Sequence, residues 1–531
     1  MPPRYWLAGA KSTGLLRLEF FPVPAHSVAM LPQTTESRLH ELKELDRKSH
    51  RLAAVQATLE WDQETNLPPA GVEERAEQLA LIEGLIHDLQ TSPHLGPLTA
   101  ELTETTLPSD EDRALVRLHR REYDRASRLP KDLVERQARL VGVAQPAWAL
   151  ARKDNDFDRF APHLAKLVAL ARERADLLGW QAHPYDALLE EYEPGTTSAE
   201  VKSVFDGLES GVADLVRTLA ARPQVRNDFL SRPYPRATQE KLGRQIAGDI
   251  GFDWSAGRLD VTTHPFCTTL GPRDVRITTR YDENFFNMAL YGIIHETGHA
   301  LYEQGIDGRF GASILASGTS LGIHESQSRF WENFIGRSRP FIDHYFPLFR
   351  QAYPDSLGDV DAEAFYKGVN LVEPSFIRVE ADEVTYSLHI ILRFRLELAL
   401  LDGSLKVGDV PDAWNQLSTK LFGIRPPDDA QGCLQDVHWA MGGLGYFPTY
   451  TLGNLYAAQF FDTLKQALPD WEALVRRGEF APLLGWLRSN IHRHGRVFPA
   501  GELCRRVTGK PLDPGHFLRY LGEKYGAVYG L

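Results

Sequence analysis

The chain has 531 residues, 43% hydrophobic and 24% charged, a composition ordinary for a globular protein and a length sufficient to bury a large core. No stretch approaches the roughly 18 to 20 uninterrupted apolar residues that a membrane-spanning helix requires, and a net charge of −12 argues against a general nucleic-acid binder, because phosphate neutralisation needs a basic face. The three cysteines, Cys267, Cys433 and Cys504, lie too far apart for a disulfide framework or a Cys-based zinc ribbon and suit a reducing, cytoplasmic setting.

Residues 1–29 form a poor signal peptide: the apolar run Trp6–Ala10 is broken by Lys11 and no convincing cleavage site follows. The folded protein is expected to begin near Met30, with 1–29 a disordered extension and 30–531 one helical domain. Leu39, Leu42, Leu45, Leu52 and Leu59 then recur at helical spacing. Leu115–Leu140 and Phe157–Trp180 behave similarly, with Pro130, Pro146 and Pro162 expected at breaks or helix starts. Thr197 to Glu200 has capping-box spacing, and Val201, Phe205, Leu208, Val212 and Leu215 follow on one face. One stretch differs. Val261–Arg280 is rich in Val, Ile and Thr and divided by Gly271-Pro272, which predicts two short strands joined by a turn. No internal repeat stands out, so the expected fold class is mainly α with a small β-hairpin or sheet.

Asp282–Gln304 reads as a helix with Phe286, Leu290, Ile293 and Ile294 on its apolar face and Gly305 as a stop. Within it, His295, Glu296 and His299 form an H-E-x-x-H motif. Positions four apart project from one helical face, so two imidazole nitrogens can each reach one ion at about 2.0–2.1 Å. Glu296 is offset by about 100 degrees, unfavourable for a ligand but suited to a general base acting on water. Random placement gives about 0.04 matches per chain, so context must decide between a metal site and two surface histidines. A catalytic zinc needs a third protein ligand and an open position. Thr319 or Ser320 can cap a helix carrying Glu325 and running on to Ile335, which delivers a carboxylate beside the two histidines. The competing reading of Glu325 is a solvated acid at a helix start.

The chain resembles the carboxypeptidase Taq family of metallocarboxypeptidases over about residues 36 to 531. The resemblance is carried by WDQET at Trp61–Thr65, HPFCTTLGPRDVRITTR at His264–Arg280, HETGH at His295–His299 and HESQSR at His324–Arg329, followed by IRVEADEVTY at Ile377–Tyr386, LQDVHW at Leu434–Trp439 and GYFPTY at Gly445–Tyr450. It implies a large helical molecule with a deep cleft between two lobes, often a homodimer. It also implies a zinc-dependent exopeptidase that removes single C-terminal residues from peptides with broad specificity, Co2+ or Mn2+ being used by some related enzymes.

The expected reaction is peptide hydrolysis at a metal held by His295, His299 and Glu325, with water activated by the ion and by Glu296. By resemblance, His438 and Tyr446 or Tyr450 are candidates to stabilise the oxyanion; the alternative is ordinary core packing for each. Arg276 and Arg378 are candidates for the substrate's terminal carboxylate, the alternative being ion pairs with Asp274 or Asp382. Asp436 or Glu332 is a candidate acceptor for a ligand imidazole. Two other readings stay open: a zinc endopeptidase or oligopeptidase with the same ligands, and a non-catalytic peptide-binding protein with a structural metal.

Overall fold

The computed structural model describes residues 34–531, so the expectation for 1–29 lies outside the described residues. Thr34 caps the first helix, α1 (Thr35–Thr65), its hydroxyl accepting from the Ser37 amide. There follow α2 (Val72–Gln90), α3 (Leu95–Thr103), α4 (Asp110–Arg128), α5 (Lys131–Asp154), α6 (Phe157–Leu178), α7 (Tyr185–Leu189), α8 (Ser198–Ala220) and α9 (Arg236–Asp249). Pro130 does separate two helices, but α5 and α6 run through Pro146 and Pro162, each long helix absorbing the lost N–H donor and the ring's clash with the preceding turn. Thr197 and Glu200 make the reciprocal capping box expected of them.

The β region has one strand more than the predicted hairpin. Strands β2 (Cys267–Gly271) and β3 (Asp274–Thr279) form that antiparallel pair, and β1 (Gly257–Val261) adds in parallel to the other side of β3. Because side chains alternate along a strand, Val275 and Ile277 turn one way and Arg276 the other. Val275, Ile277 and Leu259 join Ala247, Phe252, Ile293 and Ala300 in a small core between the sheet and the helices α9 and α10 (Phe286–Gly305).

That core covers one flank of α10. The other flank, with Leu290, Ile294 and Leu301, belongs to the main core, which extends from Leu39 to Tyr529. A helix apolar on both flanks is a buried helix, and α10 begins at Phe286, four residues later than the apolar pattern suggested.

Beyond α10 lie α11 (Leu321–Arg329) and a π-helical segment, Phe330–Gly336, where a continuous α-helix was expected. The remaining helices are α12 (Arg339–Ala352), α13 (Pro354–Leu357), α14 (Ala362–Val369), α15 (Tyr386–Asp402), α16 (Val410–Phe422), α17 (Pro448–Ala467), α18 (Trp471–Arg476), α19 (Ala481–Asn490), α20 (Ala500–Thr508) and α21 (Gly515–Tyr529). Two glycines let backbones close around α11. A Cβ on Gly298 of α10 would stand 2.6 Å from the Gln327 carbonyl oxygen, and one on Gly453 of α17 would stand 2.5 Å from Glu325 Cγ.

Candidate metal centre

Ser320, rather than Thr319, caps α11, its hydroxyl accepting from the Ile323 amide at 3.1 Å. A second acceptor reinforces this end: the carboxyl of buried Glu193 takes the Gly322 amide hydrogen. So anchored, α11 carries Glu325 to the face of α10 that bears His295 and His299. The Glu325 Oε2 atom lies 3.7 Å from His295 Nε2 and 3.5 Å from His299 Nε2. Ligands about 2.1 Å from a tetrahedral ion are separated from each other by about 3.4 Å. The donor set and its spacing fit a divalent transition ion, and these three residues make up the candidate metal group found among the described residues.

Partners hold each side chain of the group. His295 Nδ1 meets Glu332 Oε2 at 2.8 Å, so Glu332 and not Asp436 is the acceptor at that imidazole. His299 Nδ1 meets His324 Nδ1 at 2.6 Å. Arg329, four residues after Glu325 on α11, donates to Glu325 Oε1 at 2.7 Å and to Glu332 Oε2 at 3.1 Å. Burial alone would raise the Glu325 carboxyl, but Arg329 and the two imidazoles hold it well below the usual carboxylate range. Burial would likewise lower His295, yet Glu325 and Glu332 leave it raised, whereas burial dominates at His299 and lowers it to about 4.

Glu296 is buried, and loss of hydration raises its carboxyl to about 7. A carboxylate with that affinity for a proton can accept one from water and release it again near neutrality.

His438, Tyr446 and Tyr450 come together as one aromatic cluster. His438 Nε2 lies 3.3 Å from Tyr450 Oη, and the His438 and Tyr450 rings each stand 5.3 Å from that of Tyr446. Burial first and the Glu325 charge second raise the Tyr446 phenol, which keeps it a neutral hydrogen-bond donor. Burial and the nearby Arg378 and Arg393 guanidinium groups lower His438 to about 4.

Both arginines singled out in the sequence make ion pairs. Arg276 forms a two-pronged contact with Asp274, at 2.8 and 2.7 Å, and lies 4.2 Å from the centre of the Trp61 ring, which Arg258 covers at 4.9 Å. The partner of Arg378 is Asp436, at 2.7 Å, rather than Asp382, whose carboxyl instead accepts from the Val384 and Thr385 amides. Asp436 is further shared with Arg393 and so serves this buried ion-pair cluster. The Arg276 side chain retains 18% exposure against 6% for Arg378.

Sequence reasoning passed over Arg329, His324 and Glu303. The four-residue step from Glu325 to Arg329 was a readable signal. The other two depend on how α10 and α11 cross, which no local spacing records.

Comparison with known proteins identifies the family. The family model for carboxypeptidase Taq (M32) metallopeptidases matches residues 41–525. Thermostable carboxypeptidase 1 of Thermus thermophilus is 43% identical over 511 residues, covering 94% of this chain and 100% of that protein. Carboxypeptidase 1 of Bacillus subtilis is 40% identical over 489 residues, covering 91% of this chain and 97% of that protein. The crystal structure of the M32 carboxypeptidase from Deinococcus radiodurans superposes with a TM-score of 0.91 at 41% identity, covering 93% of this chain and all of that one. With a His-His-Glu group on α10 and α11 and a match over nearly its whole described length, the chain belongs to the carboxypeptidase Taq (M32) family and is a metallocarboxypeptidase.

Proposed function

We propose that the chain is a zinc carboxypeptidase that releases single C-terminal residues from peptides with broad specificity, using His295, His299 and Glu325 as metal ligands and Glu296 as general base. The observation that carries this reading is the separation of Glu325 Oε2 from the two imidazole Nε2 atoms, 3.7 and 3.5 Å, close to the edge of a tetrahedral coordination shell. The same ligand types accept Co2+ or Mn2+, so the ion loaded in the cell is a matter of supply as well as affinity.

A divalent ion held by His295, His299 and Glu325 would supply Lewis acidity towards the scissile carbonyl and a water of lowered pKa near neutral pH. Glu296 takes the proton of the attacking water and passes it to the leaving amine. Tyr446 or Tyr450, with His438 beside them, donates to the oxygen on which charge develops. Arg276 and Arg378 receive the substrate's terminal carboxylate through their forks of N–H groups. The greater exposure of Arg276 supports giving it the larger part. A homodimer in the cytoplasm completes the proposal; among the described residues no helix is long and apolar enough to cross a membrane.

Mass spectrometry of a peptide-library digest tests this reading. A ladder of successive C-terminal losses, abolished by a chelator and restored by Zn2+, is the expected result. Peptides ending in an amide should resist cleavage. Internal cuts in amidated peptides would transfer the assignment to an endopeptidase.

A further inference from the structure

His295 and His299 are held in different ways. The outer nitrogen of His295 meets a carboxylate directly, at Glu332. That of His299 meets another imidazole, His324, whose far nitrogen Nε2 lies 3.0 Å from Glu303 Oε1. Glu303 stands near the end of α10, one helical turn beyond His299, and its carboxylate also accepts from the Gly318 amide and the Thr269 hydroxyl, each at 3.0 Å. Three separate segments thus converge on this acid, and its side chain is only 5% exposed.

The protons along this chain can be assigned by elimination. A carboxylate only accepts, so the His324 nitrogen facing Glu303 carries the hydrogen. A neutral His324 then presents a bare Nδ1, and the 2.6 Å contact with His299 Nδ1 requires one hydrogen between the rings. That hydrogen belongs to His299 Nδ1, which leaves the His299 Nε2 lone pair free and aimed at Glu325. The opposite register would place two lone pairs against each other at Glu303 and put a hydrogen on His299 Nε2, where a metal must bind. Gly318 seals the arrangement from the loop side: a Cβ there would sit 2.6 Å from His324 Cδ2.

We propose that Glu303, acting through His324, is a positioning device that fixes the tautomer and ring orientation of His299 for metal binding. This rests on the assignment of His295, His299 and Glu325 as ligands. Neither residue touches substrate or ion, so their effect is on affinity for the metal before it is on turnover.

The test is Zn2+ titration of metal-free full-length protein against a chromophoric chelator, with thermal unfolding of the same metal-free samples. Both His324→Phe and Glu303→Ala should weaken Zn2+ binding by about 10- to 100-fold. The double variant should be no worse than the poorer single one, because both act through one chain of hydrogen bonds. Glu303→Gln keeps volume and an acceptor oxygen, so it should recover most of the affinity lost in Glu303→Ala. It also supplies the answer should either larger change prevent folding: Zn2+ affinity in Glu303→Gln close to that of the parent supports the proposal, and a loss as large as 100-fold overturns it. Parental affinity in His324→Phe overturns the proposal while leaving the metal site standing, as does a loss in His324→Phe with none in Glu303→Ala. His299→Ala separates the two claims: if it still binds Zn2+ as the parent does, the ligand assignment fails and the relay fails with it.

Discussion

Glu296 and Glu325 have the same side chain, and their surroundings give them opposite properties. Arg329 and two imidazoles keep Glu325 charged and fit to be a ligand, whereas burial without a dedicated cation raises Glu296 to about 7 and fits it to carry a proton. Replacing Glu296 with Gln should therefore lower turnover by at least about 100-fold while stoichiometric metal, measured by elemental analysis, is retained. Gly453 makes a sharper steric case. Its substitution by Ala drives a methyl group to 2.5 Å from Glu325 Cγ, and such overpacking costs about 1–3 kcal/mol. The variant should show both a lower Tm and weaker Zn2+ binding, because the carboxylate must shift to relieve the clash. His295, Glu296 and His299 could be read from sequence because i, i+4 geometry is a property of any α-helix. The partner of Arg378 could not: Asp382 is near in sequence, but Asp436 is near in space.

At the level of elements, the crossing of α10 and α11 decides whether a site exists at all. Local patterning offered good warning of both helices, through an apolar face in one and a cap in the other. It gave none of the π-helical turn carrying Glu332, which depends on a local rewinding of hydrogen bonds rather than on periodicity. Strand β1 was hidden for a related reason: with Arg258 and Asp260 flanking a single Leu259, its five residues carry too few apolar positions to announce a strand. The start of α11 makes a pH prediction. Burial pushes Glu193 up to about 8, against about 4.3 for an unfolded glutamate. Between these values the unfolded chain has released this proton and the folded chain has kept it, so the stability contribution is full below about 4.3 and declines as pH rises towards 8. Buried Glu397, pushed up to about 7, adds to the same slope. In metal-free protein, Glu193→Gln should therefore gain urea midpoint relative to the parent as pH rises from 5 to 8.

Across the whole molecule, α10 is the shared wall of two cores, so His295 and His299 stand on a helix held from both flanks. The mainly helical character was legible from apolar spacing repeated over hundreds of residues. The packing of α9, the sheet and α11 around α10 was not, since it rests on which faces meet in space rather than on spacing within any one element. An ion bound only by the folded state stabilises that state by mass action, by about 2.7 kcal/mol when free ion is a hundredfold above Kd. Chelation should therefore lower the thermal midpoint of the parent reversibly and leave that of His299→Ala unmoved, as differential scanning calorimetry would record.

Trp61, reaching from α1 to the sheet, lies against the guanidinium groups of Arg258 and Arg276, which leave neighbouring positions of β1 and β3. A peptide whose terminal carboxylate draws Arg276 away from Asp274 must change the electric field on that indole. With Arg276 in the role proposed for it, Trp61, one of ten tryptophans, should act as an optical gauge of occupancy, its ligand-dependent emission change disappearing in Trp61→Phe.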